Sequence, residues 1–412
     1  MTYNHGMHST TMRWASAVSE LGSPEQALEQ VLGQTLEQMA GAPVHLALWF
    51  VSDLYLADFD ALARRAAEAL GAPVLLGCSS GGVIGADQEL ELRPAMSLVT
   101  ACLPNVTLKP FHVTPLELEM SGTDAQRFWE ERTGATLQEE PVFVLIPDPM
   151  TCDVHQLVEQ LNRVFPKRPI IGGLASGSRR TGGRWLVYNG ELVEEGAVGV
   201  AMTGDITLET VVSQGCRPIG QSYIVTRSEE YVIHEIGSRP SVTVLQEILE
   251  ALPPADQRLA QEALFLGVAI DERKYPLERG DFLVRNLLGA DMEAGTLTVG
   301  ERVRVGQTVQ FQLRDARAAD EDLQQLLRRA ASGSDPAPAG GLLFNCLGRG
   351  HGMFGRAHHD VQLIRAVTGE YPLGGFFCNG EIGPVGGVNY LHGYTASLGL
   401  FRPKGSGAAR RP

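Results

Sequence analysis

Three short apolar runs along the chain sit in the same surroundings: Val44 to Val51 (VHLALWFV), Val142 to Ile146 (VFVLI) and Leu342 to Cys346 (LLFNC). Uninterrupted runs of branched and aromatic residues predict strands covered on both faces. A helical pattern follows each. One face carries Phe59, Leu62, Ala63, Ala66 and Leu70 in the first copy, Val154, Leu157, Val158, Leu161 and Phe165 in the second, and Val361, Ile364 and Val367 in the third. Asp58 and Asp153 stand where side-chain caps are useful. A proline comes next (Pro73, Pro169, Pro372), then a short strand running into a glycine-rich turn. A third strand opens at Ser97, Ala197 and Thr395, which lie 24, 28 and 23 residues beyond those prolines. The repeated order predicts a degenerate β-α-β-β unit used three times.

Between the second and third copies the pattern predicts a helix over Ser241 to Leu252, a strand over Leu264 to Ile270, and a strand pair formed by Phe282 to Leu288 and Val309 to Leu313. A helix over Asp320 to Arg329 follows. Residues 331–340 (ASGSDPAPAG) read as a flexible loop, and the tail from Pro403 as disordered. Strands alternating with helices give an α/β (mixed α+β) class with mixed sheets covered by helices, in two domains.

Composition narrows the function without naming it. Hydrophobic residues make up 44% and charged residues 20%, as in ordinary globular chains. The formal charge of −14 is spread along the sequence, and its basic clusters are short, which speaks against nucleic acid as a partner. No apolar run reaches the roughly 18 residues a membrane span needs, and the start is polar, so the expected location is the cytoplasm, with no membrane partner. The six cysteines are dispersed with no CxxC pair, which fits free thiols.

The segments around the glycine turns resemble the FIST family. In the first half these are Met12 to Ser19 (MRWASAVS), Leu76 to Gly85 (LGCSSGGVIG), Ile171 to Gly177 (IGGLASG) and Gln214 to Gly220 (QGCRPIG). In the second half they are Gly280 to Asn286, Gly306 to Ala316, Asn345 to Gly350 (NCLGRG), Gly374 to Pro384 (GGFFCNGEIGP) and Leu391 to Thr395. The resemblance places a FIST N domain at residues 25–220 after a lead-in over 1–24, and a FIST C domain at 221–402. It implies a sensory, signal-transducing module that binds small ligands such as amino acids and passes the signal to a protein partner. No leucine-rich F-box helix set precedes Trp14, so the chain resembles the free-standing members of bacteria and plastid lineages, and the ubiquitin-adaptor role is not carried over.

Glycine turns at strand ends let backbone N–H groups approach a ligand, or simply allow tight turns. Polar residues beside them single out a ligand-binding set: Cys78, Ser79 and Ser80 at the first turn, Cys378, Asn379 and Glu381 at the third, Asn345 and Arg349 after the third long strand, and Arg285 with Asn286 in the FIST C portion. Glu381 would meet an ammonium or amide, and Arg349 or Arg285 a carboxylate, unless an internal ion pair uses them. The GxGxxG of Gly350 to Gly355 suits a generic anion loop better than a dinucleotide site, because the nearby acids Asp360 and Glu370 precede the next strand instead of ending it. Cys346, His351, His358, His359, Cys378 and His392 lack metal-site spacing, so no metal or cofactor is expected. The alternatives are a cysteine-dependent hydrolase or transferase using Cys78 or Cys378, and an interaction scaffold without a ligand.

Overall fold

The computed structural model describes residues 11–55, 58–177, 184–332 and 336–405. The chain divides into two compact units: Met1–Val212 with Gln324–Leu391 and Thr395–Pro412, and Ser213–Leu323 with His392–Tyr394.

The first unit holds the three copies. Copy one is β1 (Arg13–Ser19), α1 (Pro24–Met39), β2 (Leu46–Ser52), α2 (Phe59–Leu70), β3 (Val74–Ser80), β4 (Gly82–Gly85), β5 (Gln88–Glu91) and β6 (Met96–Cys102). Copy two is β7 (Val106–Val113), α3 (Pro115–Met120), α4 (Ala125–Thr133), β8 (Val142–Pro147), α5 (Val154–Val164), β9 (Ile170–Gly173), β10 (Leu186–Tyr188), β11 (Glu191–Val193) and β12 (Ala197–Gly204). Copy three opens with β13 (Thr207–Gln214). The second unit then intervenes with β14 (Cys216–Pro218), β15 (Tyr223–Glu229), β16 (Val232–Ile236), β17 (Arg239–Pro240), α6 (Ser241–Ala251), α7 (Pro254–Ala263), β18 (Leu264–Ala269), β19 (Phe282–Asp291), β20 (Thr296–Val299) and β21 (Thr308–Arg314). Copy three resumes with α8 (Ala316–Ser332), β22 (Gly340–Cys346), α9 (His351–Phe354), α10 (His359–Thr368), β23 (Leu373–Cys378), β24 (Glu381–Val385), β25 (Val388–His392) and β26 (Thr395–Arg402).

The copies form three six-stranded sheets of one plan: β1-β6-β2-β3-β10-β11, β7-β12-β8-β9-β24-β25 and β13-β26-β22-β23-β4-β5. In each sheet the two central strands of one copy run parallel, and an antiparallel hairpin from another copy completes the edge. The exchange is cyclic: copy one gives its hairpin to copy three, copy three to copy two, and copy two to copy one. The repeat is therefore longer than the β-α-β-β unit expected, and no copy closes its sheet alone.

A glycine marks the same point in each copy. A Cβ added to Gly77 would stand 1.9 Å from the Trp49 carbonyl oxygen, one at Gly172 2.0 Å from that of Leu145, and one at Gly375 1.9 Å from that of Leu343. Only glycine lets the parallel pair come this close. Aligned on these glycines, Phe50, Ile146 and Phe344 are equivalent and feed one core shared by the three sheets, where the Phe50 and Phe376 rings lie 4.8 Å apart. The helices pack on the other faces of the first two sheets. Asp58 and Asp153 cap α2 and α5, accepting from Ala61 and Gln156 N–H at 3.1 and 3.0 Å.

In the second unit the pairing β21-β15-β16-β20-β19-β18 returns from β18 to β21, a sheet closed on itself. The expected pairing of Phe282 to Leu288 with Val309 to Leu313 is corrected here, because β18 lies between those strands. The loop expected at 331–340 is partly regular: α8 runs to Ser332 and β22 starts at Gly340, while 333–335, like tail residues 406–412, lie outside the described residues.

Candidate functional site

The three glycine turns lie side by side and hydrogen-bond to one another. Gly81 N–H donates to Ser176 Oγ at 3.0 Å, Ser176 Oγ donates to the Phe377 carbonyl, and Asn379 N–H donates to the Leu174 carbonyl at 3.2 Å. At the first turn Ser79 Oγ accepts from Trp185 N–H at 3.2 Å and Ser80 Oγ donates to the Val51 carbonyl at 3.3 Å. Cys78 and Cys378 are fully buried, and burial pushes both thiols well up. Neither is the activated nucleophile the enzymatic alternative required. Asn379 is exposed. In the second unit Arg285 is engaged by Glu301 and by its neighbour's Val284 carbonyl, and Asn286 accepts from the Tyr394 hydroxyl at 2.7 Å.

The remaining three, Asn345, Arg349 and Glu381, belong to one buried polar cluster in copy three. Arg349, 1% exposed, grips Asp360 through Nε at 2.8 Å and Nη2 at 3.0 Å. Asn345 Nδ2 donates to the same carboxylate at 2.8 Å, and His359 Nδ1 lies 2.9 Å from it. Burial pushes Asp360 up, but Arg349 and His359 outweigh it and hold the carboxyl well below its usual range. Glu89, brought in by the exchanged hairpin, accepts from Val361 N–H at 2.8 Å and so caps α10, which has no side-chain cap of its own. Glu381 accepts from Thr395 N–H at 3.1 Å and from its hydroxyl at 2.8 Å. Burial pushes both Glu89 and Glu381 to about 8, with Asp360 adding repulsion at Glu89.

Four polar atoms here are buried without a hydrogen-bond partner: Asn345 Oδ1, Arg349 Nη1, Glu381 Oε1 and Glu89 Oε2. Each such group costs about 1–3 kcal/mol. The other copies show that the fold does not require them. Asn345 stands where copies one and two carry Val51 and Pro147, and Glu381 pairs with Gly173 where the equivalent partners are Leu186 and Val83.

The anion-loop reading of Gly350 to Gly355 is corrected by Glu91. Its carboxylate accepts from His351 N–H at 2.9 Å and lies 2.3 Å from where a Gly350 Cβ would be, so an acid already occupies that backbone. Copy two also carries an open cleft of about 320 Å³ that the sequence did not announce. Met120 and Phe128 contribute to its lining, and its acids Glu117 and Glu131 pair with Arg132 and Arg127.

The FIST N domain family model matches residues 45–239 and the FIST C domain family model residues 242–384. The chain belongs to the FIST family. "Uncharacterized protein Rv0628c" of Mycobacterium tuberculosis is 39% identical over 394 residues, covering 95% of this chain and 100% of the relative. "Uncharacterized protein Mb0898c" of Mycobacterium bovis is 37% identical over the same length, covering 95% and 99%. FIST domains are generally described as sensory, signal-transducing domains. Among the described residues of this FIST protein no helix is long and apolar enough to cross a membrane.

Proposed function

We propose that this FIST protein is a sensory module that binds a small metabolite at the Asn345–Arg349–Glu381 cluster, and that the metabolite is an amino acid or a close analogue. The observation carrying this reading is the set of buried atoms without partners, at positions that are apolar in the sister copies. They require complementary groups. Arg349 Nη1 needs an acceptor, which a carboxylate supplies, while Asn345 Oδ1 and Glu381 Oε1 need donors, which an ammonium supplies. A charged ammonium would also hold Glu381 as its carboxylate, so binding near pH 7 would release a proton from the protein.

The test is a thermal-shift and calorimetric panel of amino acids, simple amines and simple carboxylates on the full chain. A ligand specific to the folded state raises the melting temperature by mass action. Amino acids should do so in wild type and not in Asn345→Val. A panel with no active compound, or equal shifts in the variant, would refute the assignment.

A further inference from the structure

Between its edge strand and its first central strand, copy one carries a single helix, α1, of 16 residues. Copy two carries α3 and α4 there, six and nine residues long, and both line the open cleft of about 320 Å³. A buried side chain holds the two walls in place. Gln160 of α5 has its Oε1 2.8 Å from the Ser121 hydroxyl and accepts there from the Trp129 indole N–H, also at 2.8 Å, while its Nε2 donates to the Leu118 carbonyl at 3.2 Å. The end of α3 and the middle of α4 are thus tied to one interior group, and the gap between them is preorganised.

The walls are apolar and acidic together. Leu118 is buried, whereas Leu116 and Met120 are 64% and 67% exposed, and being four residues apart they share a face of α3. Phe128 adds a half-buried ring from α4. Residues 115–133 hold five acids against two arginines, and both arginines are already paired, Arg132 with Glu117 and Arg127 with Glu131. Negative charge is therefore in excess around exposed apolar side chains. The Arg127–Glu131 pair stands open to solvent and adds little stability, so Glu131 is free to turn to an incoming cation. Sites for small molecules bury roughly 70–90% of the ligand, which an open cleft of this size does not. A side chain presented by a protein gains the rest of its burial from the surface alongside, here Leu116.

We propose that the α3–α4 cleft is the docking site of a protein partner, which inserts a large apolar side chain flanked by lysines or arginines. Met120 and Phe128 take the apolar group, and Glu117, Asp124 and Glu131 face the flanking cations. The cleft lies in copy two and needs no metabolite in copy three, so docking and metabolite binding succeed or fail separately.

The test is fluorescence anisotropy on the full chain with four labelled peptides of equal length. One carries phenylalanine and leucine flanked by lysines, the second has serines for the lysines, the third has glutamates for them, and the fourth keeps the lysines with serines at the apolar positions. The lysine-apolar peptide should bind at least about tenfold more tightly than each of the others, and more weakly as salt rises. Met120→Lys should reduce its affinity to that of the lysine-serine peptide. Leu92→Lys makes the same charge change at a side chain 90% exposed beside β5 and should bind like wild type, which separates the cleft from the general pull of a chain of net charge −14 on lysine. Equal or absent binding of the lysine-apolar and lysine-serine peptides, preference for the glutamate peptide, or the same loss in both variants would overturn the proposal. So would a wild-type dimer that Met120→Lys dissociates, since a second copy would then be the occupant. The ranking of the four peptides on wild type decides if the Met120 variant fails to fold.

Discussion

Glu381→Gln probes the cluster through its linkage to pH. Glu381 has an ordinary value of 4.5 when unfolded and about 8 when folded, because burial penalises its charge. A raised folded value means that the stability contribution is fully present below pH 4.5 and is lost as pH rises toward 8, since the unfolded chain gives up its proton first. Worked through, the loss is about 1 kcal/mol at pH 5 and about 4 kcal/mol at pH 8, a span of roughly 3 kcal/mol from this one group. Glutamine keeps an oxygen for Thr395 and places a neutral amide where the protonated carboxyl lay. Urea denaturation of both proteins at pH 5, 6, 7 and 8 reads the effect. The variant should match wild type to about 1 kcal/mol at pH 5 and exceed it by several kcal/mol at pH 8. Glu89 is shifted in the same sense, so the variant should keep a residual slope. Parallel curves for the two proteins across the whole range would show that Glu381 ionises freely in the folded state, and the buried-carboxyl argument would fail.

Arg349→Met should cost about 3–5 kcal/mol by stranding Asp360, and Arg349→Met with Asp360→Leu should recover most of it in the same denaturation assay. Asn345→Val, which copies Val51 of the first repeat, should stay within about 1 kcal/mol of wild type, because the lost bond to Asp360 is offset by removal of an unsatisfied oxygen. Gly375→Ala would put a Cβ 1.9 Å from the Leu343 carbonyl at a φ of +150° and should prevent soluble folding, while Gly352→Ala, with open space in α9, should melt at or above the wild-type temperature. A well-folded Gly375→Ala protein would remove the close-approach account of the three glycines.

Local rules in the sequence reached the repeated elements. The apolar runs from Val44, Val142 and Leu342 became β2, β8 and β22, and Asp58 and Asp153 became caps, since both signals are written within a few residues. The glycines were legible as special but for the wrong reason. The sterically constrained positions are inside the strands, at Gly77, Gly172 and Gly375, where a neighbour's carbonyl lies about 2 Å from a missing Cβ, and no turn signature records that. The hairpin exchange was invisible because its partners are far apart in sequence, as with Phe376 and Val83. Of the site, Asn345, Arg349 and Glu381 stood out as polar residues in apolar runs. Asp360 entered only as an acid that precedes the next strand, and Glu89 was not singled out at all. Only the exchanged pairing carries Glu89 under α10. The closed sheet of the second unit was missed in part because β16 and β20 are short, of five and four residues, and announce themselves weakly.

The three copies act as internal controls on one another, and this separates architecture from function where a single sequence otherwise offers no comparison. Every copy keeps the pinched parallel pair and gives its hairpin away, so these belong to the fold. Polarity does not follow the repeat. Copies one and two hold Val51 and Pro147, Val83 and Leu186, at the positions where copy three buries Asn345 and Glu381, and they cap their helices with an aspartate, whereas copy three borrows Glu89 for that work. Borrowing the cap leaves Asp360 to hold Arg349, which fixes a guanidinium in the interior with one nitrogen unused. A sheet that needed only stability would have kept the apolar side chains its sisters use at no desolvation cost. The cost is concentrated around the ends of β22 and β23, and that concentration is what supports the proposed binding site over a purely structural repair.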